Sequence, residues 1–422
     1  MRYSKIASAV AATLAASSAF ALGPTATTSV QTVTSGSSAY KASFAAEFAN
    51  ICQAGTLDTY SAAGTPAPNM SAYSCTLTTD TTIIPAAQAA LRGLNAILYY
   101  RAEGGSAYGV APIAKGQQIY RLVVDANCTG ATPTWTCPVT GWNFAAETGT
   151  GNIIKDTTEL GVSDVEPAKF TGDNWPGGFF GAAPTAAQLA NITSIKPVTG
   201  QVFAIYVNTS VSSTPINLSK ASVAAILEGS ATDWSAVPKL DGTGFVSAVA
   251  APITVCNRDK GSGTRAGVGF FFTGYGCTGS GAPLVVSSLA INASGSTETT
   301  CIAGGAGRIG YLGYAGPTDP AGMVHVNIDG IAPSLQGAAA GGYGYWYEAT
   351  FNNGTALTGN DALLATLLAN RIRSAATVPA TNVNALVLSD FNTPVEPVST
   401  SFNPIAVTTH SGNSCNTPIT VF

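Results

Sequence analysis

Asn257–Arg265 reads NRDKGSGTR, and it is the stretch of this 422-residue chain that decides the fold. The strand-like run Ala251–Cys256 (APITVC) precedes it, and Thr264–Thr273 follows as an aromatic-rich predicted helix. A glycine-rich turn between a strand and a helix lets the main chain approach an anion closely, and Arg258 adds a planar set of donors suited to phosphoryl oxygens. The stretch therefore predicts an anion-binding loop, although an ordinary turn with a surface arginine would share the pattern.

Three further short stretches combine hydroxyl groups with flexible main chain. Gly161–Pro167 (GVSDVEP) contains Asp164, Ser35–Ala39 (SGSSA) precedes the first predicted helix, and Glu103–Ala107 (EGGSA) follows the second. Each alone is typical of a helix cap or a turn. Together with Arg258 they supply the hydroxyls, amides and single carboxylate that suit a dry pocket holding an oxyanion by hydrogen bonds.

Strand-like and helical segments alternate along the chain, which predicts an α/β fold with largely parallel sheets. Strands are predicted at Gln201–Val207 and Arg308–Tyr314 in addition to Ala251–Cys256. Helices are predicted where apolar residues recur at helical spacing: Ser43–Cys52, Pro85–Tyr100, Val223–Leu227 and Asp361–Ser374.

The N-terminal sequence predicts export. Arg2 and Lys5 precede the uncharged run Ile6–Ser18, and Ala19–Ala21 (AFA) fits a signal-peptidase site, so we expect a signal peptide over residues 1–21. The uncharged run is shorter than the roughly 20 residues that a membrane span needs. We therefore expect a periplasmic or secreted protein that is not inserted in a membrane.

The composition narrows the class of partner. The formal net charge is −4, which argues against a nucleic-acid partner, because such proteins carry basic faces. Charged residues make up only 9% of the chain, against about 25% in ordinary domains. This low charge content also suits a secreted structural or adhesive protein, which stays open as the alternative. The only histidines, His325 and His410, are far apart in sequence, and neither a metal nor a cofactor is predicted.

At Arg258–Thr264 (RDKGSGT) the chain resembles the periplasmic phosphate-binding proteins of high-affinity ABC phosphate importers, whose loop reads Arg-x-x-Gly-Ser-Gly-Thr. Gly161–Pro167 is similar to their Gly-Ala-Ser-Asp-x-Pro segment. Ala221–Trp234 resembles their helix that leads to a Gly-Lys-Ile-x-x-Trp turn, and Arg308–Tyr314 resembles their return strand. The resemblance is collinear across most of the chain.

The resemblance implies a type II periplasmic-binding-protein fold, in which two α/β lobes enclose a ligand cleft. We expect lobe one to comprise residues 22–206 and 313–422, with an insertion at 107–160, and lobe two to comprise residues 207–312. The family's phosphate-binding residues correspond here to Arg258, Ser262, Gly263, Thr264, Asp164, Ser38, Ala39 and Ser106, with Ser37 as a register alternative to Ser38. Asp164 would accept a phosphate proton. One departure is Lys260, which stands where the family has an aspartate.

The eight cysteines all follow the expected signal peptide, and an even number in an exported chain predicts disulfides. Lobe two would hold three of them, so one should pair with Cys415. A helix of about ten residues spans about 15 Å, which disfavours a bond between its two ends. The pairs expected are Cys52–Cys75, Cys128–Cys137, Cys277–Cys301 and Cys256–Cys415.

The predicted function is that of an exported solute-binding protein that clamps phosphate or a similar tetrahedral oxyanion without changing it. We expect a monomer, and the resemblance implies the permease of an ABC transporter as partner. An enzyme is not expected, because the chain has no G-x-S-x-G motif and no histidine placed by a local motif beside a serine or cysteine. A secreted phosphate-related hydrolase would need a nucleophile that the sequence does not supply.

Overall fold

The computed structural model describes residues 21–277, 281–284, 292–355, 357–374, 385–388, 405–406 and 408–420. Residues 1–20 of the expected signal peptide therefore lie outside the described residues. Within the described ranges, no helix has the length and hydropathy needed to cross a membrane.

The described part of the chain is a mixed α/β structure. Its α-helices are α1 (Lys41–Asn50), α2 (Ala111–Lys115), α3 (Ala186–Leu189), α4 (Lys220–Leu227), α5 (Gly263–Val268), α6 (Gly295–Ala303), α7 (Leu335–Ala339) and α8 (Gly359–Arg373). Its strands are β1 (Val30–Gly36), β2 (Asp58–Ala63), β3 (Met70–Thr76), β4 (Asn95–Arg101), β5 (Ile119–Leu122), β6 (Thr129–Ala131), β7 (Thr134–Asn143), β8 (Thr148–Gly151), β9 (Ile153–Asp156), β10 (Leu160–Ser163), β11 (Ser194–Asn208), β12 (Ile216–Leu218), β13 (Thr254–Val255), β14 (Arg308–Gly313), β15 (Met323–Ile328), β16 (Trp346–Asn353), β17 (Ala385–Leu388), β18 (Ile405–Ala406), β19 (Thr408–Thr409) and β20 (Ile419–Thr420).

The long strand β11 connects two halves of one large sheet. Its first part, up to Val202, pairs with β16, whereas Phe203–Val207 pairs with β14. On one side β16 leads through β10 to β1 and β4, and this half with α1 and α8 is lobe one. On the other side β14 pairs with β13, and this half with β12, β15 and α4–α6 is lobe two. Strand β15 therefore lies in the sheet of lobe two, although the limits expected from the sequence assigned residues 313–422 to lobe one. The two-lobed α/β fold predicted from the sequence is confirmed.

The sheet is mixed, however, where largely parallel pairing was expected. β1 runs parallel to β4 and β10, but β11 is antiparallel to all its partners. Parallel pairing of β1 with β4 and β10 brings the carboxyl ends of all three strands to the same edge of the sheet. Ligands of open α/β sheets bind at such an edge.

Buried apolar clusters fill both lobes, and the cluster that fills lobe two also includes residues of lobe one such as Val110, Phe170 and Trp175. In lobe one α8 packs on β1 and on α1, and Phe44 of α1 lies against Tyr100 of β4 and Phe351 of β16. In lobe two the side chains of β11 and β14 pack with those of α4 and α6, among them Ile205, Ile226, Ile302 and Ile309. The segment 107–160, expected as an insertion, contains α2 and β5–β9 and adds β7 beside β2.

The helix predicted over Pro85–Tyr100 is wrong. Only a 3₁₀ turn forms at Ala86–Leu91, and the chain then passes through Gly93 at φ +74° into strand β4. β4 lies between β1 and β3 and is buried on both faces, so its apolar residues are consecutive and do not alternate. A run of consecutive apolar residues also contains the i, i+3 and i+4 positions of a helix face, so the sequence pattern does not distinguish the two.

Two of the four expected disulfides are confirmed and two are wrong. Cys52–Cys75 and Cys128–Cys137 form as expected. Cys256 follows β13, which pairs with β14, and α6 packs on β14, so Cys256 bonds to Cys301 of that helix. Cys415 then bonds to Cys277, where Cys256 was expected. The parity argument that assigned Cys415 to a lobe-two cysteine is confirmed.

Candidate functional site

Asp164 lies where three loops of lobe one meet. It follows β10 directly, and its carboxylate accepts hydrogen bonds from the hydroxyl of Ser37 at Oδ1 and from that of Ser106 at Oδ2, the latter at 3.0 Å. The main-chain N–H of Asp164 donates in turn to the Ser106 hydroxyl at 3.1 Å. Ser37 follows β1 and Ser106 follows β4, so the shared strand edge explains why residues distant in sequence surround one carboxylate.

The glycine-rich loop of lobe two packs directly against Asp164. A Cβ on Gly263 would lie 2.5 Å from the Ser106 hydroxyl oxygen and 2.7 Å from the Asp164 Cβ, so only glycine fits. Gly261 adopts φ +91°, and its carbonyl accepts from the N–H of Ala107 at 2.9 Å. The two lobes are therefore in direct main-chain contact at this point.

Arg258 is buried and held by main-chain groups. Its Nε donates to the carbonyl of Asn292 at 3.0 Å and its Nη2 to that of Ala293 at 3.5 Å. Its own N–H donates to the hydroxyl of Tyr311 at 3.1 Å. Only 4% of Arg258 is exposed, and a guanidinium fixed in this way presents its charge in a defined direction.

The electrostatics of Asp164 reflect its burial. Desolvation raises its pKa above the ordinary value of 3.8, and the hydrogen bonds from Ser37 and Ser106 and the charge of Arg258 oppose that rise. The positive charge of Arg258 therefore acts directly on the Asp164 carboxyl group. The arrangement combines a buried carboxyl group, a fixed guanidinium and hydroxyl donors, which together can bind a partly protonated oxyanion.

The other residues predicted to bind phosphate differ in their burial and in their contacts with Asp164. Ser262 and Thr264 are buried at the start of α5, and the Ser262 hydroxyl accepts from the N–H of Arg265 at 3.3 Å as a helix cap. Ser38 is half-buried and Ala39 is exposed, and the N–H of Ala39 donates to the hydroxyl of Ser37 at 3.2 Å. The register alternative Ser37, rather than Ser38, therefore contacts Asp164.

Sequence reasoning did not identify Asp173, which lies in a 3₁₀ turn at Gly172–Asn174. Its Oδ1 accepts from Lys260 Nζ at 2.5 Å, and its Oδ2 from Arg265 Nη2 at 2.6 Å. These two ion pairs lower the pKa of Asp173 against the effect of its partial burial. Lys260, the departure from the family pattern, is thus paired across the lobes. No local motif marks Asp173 in the sequence.

In the part of the chain that the structure describes, no three His, Cys, Asp or Glu side chains lie close enough together to hold a metal ion.

Comparison with known proteins finds a family match for the middle of the chain. The model of a PBP superfamily domain matches residues 182–372. The resemblance inferred from the sequence motifs is confirmed at that level. No curated protein matches the chain by sequence.

Several solved structures are similar to this chain over most of its length. One, solved with bound phosphate and assigned as a phosphate ABC transporter substrate-binding protein from Clostridium perfringens, is 13% identical with a TM-score of 0.46, and the match covers 82% of this chain and 94% of that one. An ABC-type phosphate transport receptor from Vibrio cholerae is 13% identical with a TM-score of 0.43 and the same coverage. A phosphate-binding protein from Stenotrophomonas maltophilia is 15% identical with a TM-score of 0.43, covering 82% of this chain and 84% of that one.

Proposed function

We propose that this protein binds phosphate, or a similar tetrahedral oxyanion, between its two lobes and releases it unchanged. The observation that carries the proposal is the buried Asp164 carboxyl group, which the hydroxyls of Ser37 and Ser106 hold beside the charge of Arg258. We further propose that the protein works outside the cytoplasm and delivers its ligand to the permease of an ABC transporter.

Asp164 would determine the preference for phosphate over sulfate. Near neutral pH phosphate carries at least one proton, whereas sulfate carries none. An ionised Asp164 can accept a hydrogen bond from the protonated phosphate oxygen, but it would face a bare anionic oxygen of sulfate. A buried polar site built for a donor rejects a ligand that lacks it by on the order of 10⁴-fold.

The test is a calorimetric titration of phosphate and of sulfate at fixed ionic strength. In Asp164→Asn we expect the ratio of phosphate to sulfate affinity to fall, because an amide can donate to sulfate. Asp58→Asn is the matched control, since Asp58 is also a buried aspartate in lobe one that accepts two hydrogen bonds. An equal ratio in wild type and Asp164→Asn would leave Asp164 a structural residue.

Arg258 would supply most of the attraction for the anion. Loss of a charge-assisted pair in a closed site costs about 2–5 kcal/mol, so phosphate affinity of Arg258→Ala should fall by roughly 30-fold or more. Arg92→Ala is the control, because Arg92 donates through Nε and Nη2 to the carbonyl of Ile84. Wild-type affinity in Arg258→Ala would contradict the placement of the ligand, and absence of anion binding in the wild type would favour the structural or adhesive alternative.

A further inference from the structure

Glu298 is a buried acid directly behind the proposed site. It lies on α6 and is 0% exposed. Its Oε2 accepts from Asn292 Nδ2 at 2.7 Å, but its Oε1 has no hydrogen-bond partner of normal geometry in the described part of the chain. A Cβ on Gly310 would lie 2.7 Å from that oxygen, so position 310 of β14 has no room for a side chain beside it. Burial of a carboxylate in this way is unfavourable unless a cation compensates its charge.

Asn292 connects this acid to Arg258. The Asn292 carbonyl accepts from Arg258 Nε at 3.0 Å, and the Asn292 side-chain amide donates to Glu298. Lys260 does not compete for Glu298, because it is paired with Asp173 at 2.5 Å. Asn292 thus contacts the Arg258 guanidinium through its carbonyl and the Glu298 carboxyl group through its side-chain amide.

The charges around Glu298 make its protonation sensitive to the site. Burial raises its pKa to about 7. The positive charge of Arg258 and hydrogen bonding to the Asn292 side chain and the Tyr311 main chain lower it, and the negative charge of Asp259 raises it. The other titratable groups that face it are the tyrosines Tyr311 and Tyr345. Of these neighbours, Arg258 is therefore the one whose positive charge favours ionised Glu298.

We infer that Glu298 is the internal counter-charge of Arg258, and that an anion bound beside Arg258 drives a proton from water onto Glu298. The inference rests on the proposed function, since it requires the anion to bind at Arg258. Without the anion, ionised Glu298 compensates the guanidinium. With the anion present, the same positive charge would face two negative groups, so the carboxylate accepts a proton from solvent, and the buffer acid that supplies it is left as its conjugate base. Glu298 is a positioning residue, since it does not touch the ligand.

The test measures proton uptake on phosphate binding by calorimetry at pH 7 in two buffers of different ionisation enthalpy. We expect wild type to take up more protons than Glu298→Gln, by a substantial fraction of one proton. Comparing these two proteins cancels the ionisation of phosphate itself. At pH 8 Glu298→Gln should bind phosphate more tightly, by up to roughly tenfold, as a coupling of one pKa unit implies.

Glu159→Gln is the matched control, because burial also raises the pKa of Glu159 to about 7, but this residue accepts from the N–H of Val33 in lobe one. It should show wild-type proton uptake. Equal uptake in wild type and Glu298→Gln, with phosphate still bound, overturns this inference alone. Absence of phosphate binding in the wild type overturns the proposed function and this inference together.

A second measurement needs no variant. Carbon-13 NMR of the side-chain carboxyl groups in the wild-type protein follows the titration of Glu298 directly. With saturating phosphate the titration should move to higher pH, and an unchanged titration contradicts the inference.

Discussion

At the scale of single residues, Gly263 is where the lobes meet at the proposed site. An alanine Cβ there would lie 2.5 Å from the Ser106 hydroxyl and 2.7 Å from Asp164 Cβ, so closure would require both to move. Overpacking costs about 1–3 kcal/mol, and we expect Gly263→Ala to weaken phosphate binding by roughly 5- to 150-fold. Gly295→Ala is the control, since no atom lies within 4 Å of the added Cβ. Equal affinities by calorimetry would show that closure does not require this contact.

Asp164 also predicts a pH dependence. Because burial raises its pKa above 3.8, the neutral carboxyl group becomes populated at a higher pH than for an exposed aspartate. A neutral carboxyl group can donate to sulfate, whereas the ionised form cannot. Sulfate affinity of the wild type should therefore rise as pH falls toward this raised pKa. The amide of Asp164→Asn does not titrate, so a parallel rise in that variant would assign the effect to another group.

At the scale of elements, the turn Gly172–Asn174 joins lobe one to the loop of lobe two. The carbonyl of Asn174 accepts from Gly261 N–H at 3.0 Å, and Asp173 pairs with Lys260 and Arg265. We expect Asp173→Asn to speed phosphate release several-fold in stopped-flow experiments, because a partly exposed pair contributes about 1 kcal/mol or less.

Asp156→Asn is the control for this turn, since it removes an ion pair with Arg121 at 2.7 Å that lies wholly within lobe one. It should leave the release rate unchanged. If Asp173→Asn releases phosphate at the wild-type rate, the turn does not resist opening.

The elements differ in how far the sequence could predict them. α8 was predictable because its buried leucines recur at helical spacing, and the central strand β11 because Gln201–Val207 combines β-branched and aromatic residues. Strand β4 was not predictable, because burial on both faces removes the alternation of apolar and polar residues that distinguishes a strand. The disulfides of lobe two depended on the packing of α6 on β14, which no spacing between cysteines reveals.

The site was predictable to the extent that it is built from local motifs. Asp164, Ser106 and the loop Arg258–Thr264 are brought together as expected, because strand ends at one edge converge. The choice between Ser37 and Ser38 depends on which hydroxyl points inward after β1, and that depends on the backbone angles. Asp173 pairs with residues distant in sequence, and Glu298 is linked through the nearby Asn292 to the distant Arg258, so no local signal identifies either acid. Apart from β15, which pairs within lobe two, the chain limits of the lobes stay predictions, and so do the ligand roles of these residues.

At the scale of the whole molecule, the segment 408–416 connects the two lobes covalently. It is anchored on lobe one, because Glu348 of β16 accepts from the N–H groups of His410 and Gly412 at 3.1 Å each, and Glu166 accepts from that of Ser414 at 2.9 Å. Its Cys415 is bonded to Cys277, which follows the π-helical turn Gly269–Thr273 of lobe two. The bond would therefore limit how far the two lobes can separate on this side if ligand binding closes them, as proposed.

Removing that bond should make the lobes separate more readily. In Cys277→Ser/Cys415→Ser we expect phosphate release to be faster, by on the order of tenfold if the tether contributes about 1.4 kcal/mol against opening. The control is Cys128→Ser/Cys137→Ser, because that disulfide joins residues within segment 107–160 and does not connect the lobes. Both variants should lose thermal stability, since each loses a cross-link that restricts the unfolded chain, so the melting temperature does not distinguish them. The rate of phosphate release distinguishes the two variants, because only the Cys277–Cys415 bond resists lobe separation. Equal acceleration in both variants would mean that general destabilisation causes the faster release. An unchanged rate in Cys277→Ser/Cys415→Ser would mean that phosphate leaves without the lobes separating on the side of this bond.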